Sequence, residues 1–468
     1  MQLHPEQRGW LDEYLDAFLP LMGDKRTAAT FRGTVQGIIG SESLICTRIA
    51  AFSPVLATSS NNGEQRVRRM ANGQTTKRSD LTAQDLVERL QARGAEQLRE
   101  QDEVWAIIDP SELRKPHARQ MPELMQVRRL SGEGTVPGYR TLNVLGVGRG
   151  GRRGILYHRL FSSQEDDFLS ESTEIRNALL SVGRSLGEHA GRVTYIVDTQ
   201  FDDEAVWGAI WEQRNHLVCR IKHRERLVER CVERTDEAQA EQVCQRVSVE
   251  EASSRGTELA RVRTEMLVRK PGQRYTKRQP VTAVVSACPI RVTYQVEVRT
   301  RKDGECRVKP AWVVIVRLQN VDSKPWVLLT DWPVEDEQSA LRVFRMYRER
   351  WAVEDCFKFT KQMLGWEDVQ LMDLEGIRTL VALGWVAAGF LYELGVTLEW
   401  PEIRLLARLG GWTQRKDRPP GKTILTRGLQ RVLDRMAMDA ILRDEVARHG
   451  HLPPRIAALL GVASQDLR

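Results

Sequence analysis

The spacing of apolar residues changes character twice along the chain, and each change marks a different kind of element. Residues 1 to about 60 carry helical periodicity, with amphipathic stretches around Trp10–Leu21 and Ala28–Ile39. The polar segment SSNNGEQ (59–65) breaks this pattern, and a basic run and a helix predicted at about 82–100 follow it. From about 103, short apolar runs take over. VWAIID (104–109) reads as a buried strand ending on an acid, and YRTLNVLGVG (139–148) with GILYHRLFS (154–162) reads as a hairpin around GRGGRRG. Residues 171–187 are helically spaced, and RVTYIVD (192–198) is a second strand ending on an acid. A helix over about 203–214 then precedes the strand HLVCRIKH (216–223). That order suits an α/β fold, a mixed sheet with helices on its faces.

Between about 224 and 320 the chain becomes rich in β-branched residues (VTAVVSA, RVTYQVEVRT, AWVVIVRLQ), with a turn at KDGE. This predicts a β-rich insertion. The strand WVLLT (326–330) and a long helix beginning near Val334–Glu337 restore the earlier pattern. Beyond about 375 the spacing is helical again, interrupted by the loop RKDRPPGK (415–422). The expected organisation is a helical domain over 1–80, an α/β domain over 81–375 that holds the insertion, and a helical domain over 376–468.

At 468 residues, 41% hydrophobic and 28% charged, the chain can bury a sizeable core and reads as globular. No stretch approaches the roughly 18 consecutive apolar residues of a membrane helix. The first residues lack a basic segment followed by an apolar run, so the expected location is the cytoplasm. Seven cysteines (46, 219, 231, 244, 288, 306 and 356) are scattered and never form C-x-x-C, which predicts reduced thiols and neither a zinc ribbon nor disulfides. The net charge of +7 is a modest excess, and its distribution says more. Basic residues cluster at Arg66, Arg68, Arg69, Lys77 and Arg78, and at Arg220, Lys222 and Arg224. Two further clusters are Arg269, Lys270, Arg274, Lys277 and Arg278, and Arg415, Lys416, Arg418 and Lys422. Any one of them alone would be an ordinary solvated face; together they could neutralise backbone phosphates.

The sharpest chemical signal lies in YRERWAVEDCFKFTK, on the long helix. With Tyr347 as zero, about 100° per residue puts Arg350 near −60°, Glu354 near −20° and Lys361 near −40°. A carboxylate on this stripe can reach a metal ion while Arg, Lys and Tyr hold phosphate oxygens. Asp109 and Asp198 each follow a short apolar strand, and adjacent strand ends bring such acids together. Three carboxylates from two strands and a helix can bind two divalent ions roughly 3.5–4 Å apart. Taken singly, a charged helix face is usually solvated and a strand-ending Asp usually serves a turn.

These residues carry a resemblance. Y-x-x-R-x-x-x-E-x-x-x-x-x-x-K is the signature of DDE transposases of the insertion-sequence-four family, and Tyr347, Arg350, Glu354 and Lys361 match it at every spacing. The strands carrying Asp109 and Asp198 sit where that family places its first two acids, and the likeness covers roughly 100–425. It implies a ribonuclease H-like mixed sheet with a β-rich insertion, in which Asp109, Asp198 and Glu354 are catalytic and hold two Mg²⁺ ions, replaceable by Mn²⁺. It also implies DNA contacts at Tyr347, Arg350, Lys358, Lys361, Arg220 and Lys222. In the family's best-studied member, a Trp at the end of the insertion stacks on a flipped base while a DNA hairpin forms, and Trp326 stands in that place. The partners would be double-stranded DNA, as transposon ends and target, and a second copy of the chain in a synaptic homodimer. End recognition would fall to the first domain, including Arg66, Arg68 and Arg69, and pairing to the C-terminal helices, in a bacterial, nucleoid-associated setting.

One departure is Thr199, where the family commonly has a basic residue; Asp202 keeps the family's later acid. The expected activity is cut-and-paste transposition, with a DDE enzyme that cuts without a hairpin, or a silent end-binding regulator, as alternatives. Other motifs fail. GVGRGG (146–151) is followed by a strand where a dinucleotide site needs a helix, and GKT (421–423) lacks the earlier Gly of a phosphate loop. His449 and His451 have no evident co-ligands.

Overall fold

A computed structural model describes residues 9–53, 60–73, 81–130, 133–236, 239–268, 277–296, 305–321, 323–358, 360–361, 364–413 and 420–461. Of the basic residues singled out above, Lys77, Arg78, Arg269, Lys270, Arg274, Arg415, Lys416 and Arg418 lie outside them, as do residues 302–304 of the KDGE turn.

Five helices open the chain: α1 (Trp10–Asp16), α2 (Lys25–Ser41), α3 (Cys46–Ala51), α4 (Ser60–Ala71) and α5 (Ala83–Leu98). Asp24 starts α2 by accepting from the amides of Arg26 and Thr27, and Thr82 with Asp85 forms a reciprocal capping box on α5. Residues 60–65 of the polar run expected to break the pattern instead supply the first turns of α4; residue 59 lies outside the described residues. Gly63, Val67 and Met70 recur at helical spacing and are buried, so packing outweighs the poor intrinsic propensity of SNNG.

Twelve strands among the described residues form one sheet: β1 (Val104–Arg114), β2 (Met125–Arg128), β3 (Thr135–Val147), β4 (Arg153–Phe161), β5 (Val193–Val197), β6 (His216–Arg220), β7 (Leu227–Asp236), β8 (Gln239–Ser248), β9 (Thr257–Val268), β10 (Lys277–Val296), β11 (Glu305–Gln319) and β12 (Trp326–Thr330). At its centre the order is β4-β3-β1-β5-β6-β12. β3 runs antiparallel to both β4 and β1, β5 and β6 run parallel to β1, and β12 returns antiparallel to β6. GRGGRRG is the expected hairpin corner, with Gly150 and Gly151 at φ 72° and 79°.

Period-two alternation assigns each strand residue to a face. Val104, Ala106 and Ile108 face a core shared with α6 (Glu171–Leu186) and α7 (Glu204–Glu212). Ile107, Leu145, Ile196 and Val218 face the other core, which α1–α5 line. That second core runs without interruption into the C-terminal helices, across the boundaries near 80 and 375 drawn from sequence. α5 meets β4 backbone to backbone: a Cβ on Gly94 would lie 2.4 Å from the Ile155 carbonyl oxygen, and one on Gly154 would lie 2.4 Å from that of Gly94.

The insertion is β7 to β11 with the short α8 (Val249–Ser254), extending the same sheet through β12. The expectation that every cysteine is a free thiol is corrected here. Cys231 and Cys244 face each other in register across the β7–β8 hairpin and form a disulfide. Scatter along the sequence concealed a pairing that only the strand register creates.

The long helix is two, α9 (Glu337–Glu349) and α10 (Trp351–Lys358), which meet at Arg350. Arg350 keeps helical angles (φ −51°, ψ −34°), and the Arg350 and Val353 amides reach back three residues instead of four, so the turn is tightened and not broken. α11 (Leu374–Thr397) is long and apolar enough to cross a membrane by length and composition, although Glu375, Arg378 and Glu393 interrupt its apolar run. Its most apolar window is 78% buried inside the protein, against α2, α4 and α5, so it is the central core helix. α12 (Trp400–Leu409), α13 (Lys422–His449) and α14 (Pro454–Leu460) complete the chain.

Candidate active site

A single row of polar residues crosses the centre of the sheet on the face turned toward α9, α10 and α11. His158 on β4 pairs with Asn143 on β3, and Asn143 pairs with Asp109 on β1. Ile107 pairs with Ile196, so the parallel register carried two residues further sets Asp109 level with Asp198 at the end of β5. Val197 pairs with Cys219, which likewise sets Asp198 level with Arg220. Asp109 is therefore not a strand-ending acid as expected. β1 continues to Arg114 because β3 pairs with it that far, while β5 stops at Val197. Asp109 sits where one neighbour strand has ended, and this opens a gap above Asp198 that α9 and α10 fill.

Asp198 is held from three sides. Its Oδ1 accepts from the Thr199 amide at 2.8 Å and from the Tyr347 hydroxyl at 3.3 Å, and its Oδ2 lies 3.6 Å from Arg350 Nη1. Arg350 Nη2 donates to Glu354 Oε1 at 2.6 Å. One guanidinium, 8% exposed, thus joins the second acid to the third. Arg220 lies close enough for its charge to act on the Tyr347 hydroxyl. Lys361 Nζ donates to the Glu112 carbonyl at 2.8 Å and lies 3.7 Å from Glu367, beside the Arg114–Glu367 pair.

Burial pushes Asp109 up to about 7; the charge of Arg350 opposes the rise, while Asp198, Glu354 and Glu112 add to it. Burial, then the charge of Asp198, pushes Tyr347 well above the usual phenol range. Burial disfavours the charge on Arg350, yet Asp198, Tyr347 and Glu354 outweigh it and keep the guanidinium more basic than usual. Lys361 is lowered by burial. The three acids therefore lie in one another's field around one shared cation. Among the described residues, no group of three His, Cys, Asp or Glu side chains is arranged to hold a metal ion as it stands. The donors are all carboxylate oxygens, which suit a hard divalent cation once Glu354 is released from Arg350.

Other expected residues fall elsewhere. Lys358 and Lys222 are exposed near the rim. Trp326 is 7% exposed, and Phe344, Tyr347 and Trp351 surround it at ring distances of 6.2, 5.4 and 5.8 Å. In this state it is a core aromatic. Arg66, Arg68 and Arg69 lie on α4, away from the row; Arg66 and Arg69 are exposed and Arg68 is paired with Glu64.

Two groups escaped the sequence reading. Trp351 is 37% exposed beside Arg350, its ring nearly perpendicular to that of Trp326, and adjacency to the signature Arg is its only signal. Around Asp202, named before only as a family feature, there is a clamp. Asp202 accepts from the amides of Lys222 (2.7 Å) and His223 (2.8 Å) and pairs with Arg226 (2.5 Å), whose guanidinium lies 4.3 Å above Trp207. The loop that follows Arg220 is thereby fastened to the turn that follows Asp198. Compared with known proteins, the chain matches no family model and no curated sequence.

Proposed function

We propose that this chain is a cut-and-paste DNA transposase of the DDE type with a ribonuclease H-like catalytic core. The observation that carries the reading is the alignment of Asp109 beside Asp198, with Arg350 joining Asp198 to Glu354. Three antiparallel strands followed by two parallel to the first, with a helix returning over Asp109, support the ribonuclease H-like reading. The four signature residues bear on the same site through contacts: Tyr347 on Asp198, Arg350 on both acids, and Lys361 on β1.

Asp109, Asp198 and Glu354 would hold two divalent ions, Mg²⁺ by preference with Mn²⁺ as substitute. When bound, such a pair supplies activation of a water or 3′-hydroxyl and stabilisation of the leaving oxygen. Arg220, Tyr347 and Arg350 orient the scissile phosphate, and Lys222, Lys358 and Lys361 hold the flanking backbone. Water would nick one strand and free a 3′-hydroxyl; its attack on the opposite strand would release the element with hairpin ends. A second water would open each hairpin and free the 3′-hydroxyl again, which would then attack target DNA. Two protomers pair the two ends. The burial of Trp326 favours a second reading, a DDE enzyme that cuts without a hairpin, because a base cannot stack on a ring already covered by Phe344. Trp351 offers the exposed ring that a flipped base would need.

The test uses the full chain, duplex DNA bearing the terminal repeats read from the gene's flanks, and Mg²⁺, resolved on denaturing gels. Asp109→Ala, Asp198→Ala and Glu354→Ala should each reduce cleavage by about a thousandfold or more and leave end binding within about threefold. Cleavage that survives any of the three removes the site assignment. A hairpin product decides between the two routes.

A further inference from the structure

We propose that Arg350 is a resident counter-cation that keeps the acid trio closed to metal until a DNA phosphate draws it away, so that metal and DNA bind cooperatively. The inference rests on the transposase reading. Its basis is the position of one side chain: Arg350 Nη2 lies 2.6 Å from Glu354 Oε1, and Nη1 lies 3.6 Å from Asp198 Oδ2. These acids come from different elements, the end of β5 and α10, and the guanidinium stands between them almost fully buried. The oxygens it holds are among those a divalent ion would need.

Charge pairing dictates the coupling. If a divalent ion enters alone, it must compete with Arg350 for these oxygens and leave a buried guanidinium without its anions, and an unpaired buried charge is costly. If a phosphate arrives alone, it draws Arg350 off and leaves Asp198 and Glu354 facing each other uncompensated, with Asp109 beside them. When both arrive, the phosphate takes Arg350 in bidentate geometry and the metal takes the carboxylates, so every charge is paired. Lys361, engaged with the Glu112 carbonyl and Glu367, is occupied in the same resting state. Linkage requires the effect to be reciprocal: whatever factor DNA adds to metal affinity, metal adds to DNA affinity.

Mn²⁺ is the probe, titrated into the full chain and followed by the loss of the free-ion electron paramagnetic resonance signal. A duplex taken from the gene's flank is present or absent. Without DNA, Arg350→Ala should bind Mn²⁺ about tenfold more tightly than the unaltered protein. The duplex should raise the affinity of the unaltered protein about tenfold and that of Arg350→Ala by less than about twofold. Arg350→Gln, which keeps most of the side-chain bulk without the charge, gives the same comparison if the Ala variant fails to fold, as judged by circular dichroism. Equal Mn²⁺ affinity in the unaltered and Arg350 proteins, with binding lost in Glu354→Gln, overturns the inference and leaves the metal-site reading standing. No Mn²⁺ binding in any of them, with or without DNA, overturns both.

Discussion

Asp109 and His158 occupy one row of the sheet, separated only by Asn143, and burial perturbs them in opposite senses. Asp109 is pushed up to about 7 and His158 down to about 3, because in each case the low-dielectric interior disfavours the charged form. Their surroundings differ. His158 is 4% exposed and burial alone accounts for its shift: its Nδ1 meets Asn143 Oδ1 at 2.7 Å, and Trp385 and Trp366 flank the ring at 5.4 and 5.9 Å. Asp109 adjoins two further acids and an arginine, with the Glu354 side chain 52% exposed at the rim. A shifted pKa by itself therefore marks burial. Like charges crowded together beside an arginine, with one of them open to solvent, mark a candidate functional site.

The largest expected effect separates the two residues directly. Asp109→Asn should reduce DNA cleavage by about a thousandfold or more, yet leave the metal-free protein as stable as before or more stable at pH 8. The sign follows from the raised pKa: the carboxyl's folded-state penalty builds as pH rises from 3.8 toward about 7 and is complete at pH 8, and the amide does not carry it. His158→Gln should do the reverse, losing about 1–3 kcal/mol of stability while the folded fraction cleaves within about threefold of normal. Cleavage lost equally in both would erase the distinction.

A second effect concerns acid. His158 has a depressed folded-state pKa, so its contribution to stability is full above 6.5 and is lost as pH falls toward about 3. Urea unfolding should show roughly 2 kcal/mol less stability at pH 4.5 than at pH 6.5 from this group. His158→Gln should flatten that limb, and an unchanged slope would show that the ring is not held neutral. The smallest effect should come from Asp202→Asn, which loosens the clamp behind Arg220. We expect about a tenfold loss of cleavage and a salt dependence of DNA binding shallower by about one phosphate contact. Normal values for both, in a protein that melts normally, would make Asp202 structural only.

Asp109, Asp198 and Arg220 were legible in the sequence at the ends of short apolar runs and through the family resemblance, whereas Asn143 and His158 join the row only through strand pairing. The stripe on Tyr347, Arg350 and Glu354 was legible from the helical period, with the tightened turn at Arg350 as the detail that periodicity could not give. What sequence missed depended on partners distant in the chain. β1 outlasts Asp109 because β3 pairs with it, α4 absorbs SNNG because its buried face packs on α3 and α11, and Cys231 meets Cys244 through hairpin register. Lys361 finds a main-chain carbonyl, and a carbonyl has no sequence signature.

At Gly94 and Gly154 no side chain cushions the seat of α5 on β4. A layer of methyl groups can give by rotating; two abutting main chains cannot. Any load placed on the amino-terminal helices by a bound duplex would therefore reach β4 as rigid displacement, one strand away from Asn143 and two from Asp109.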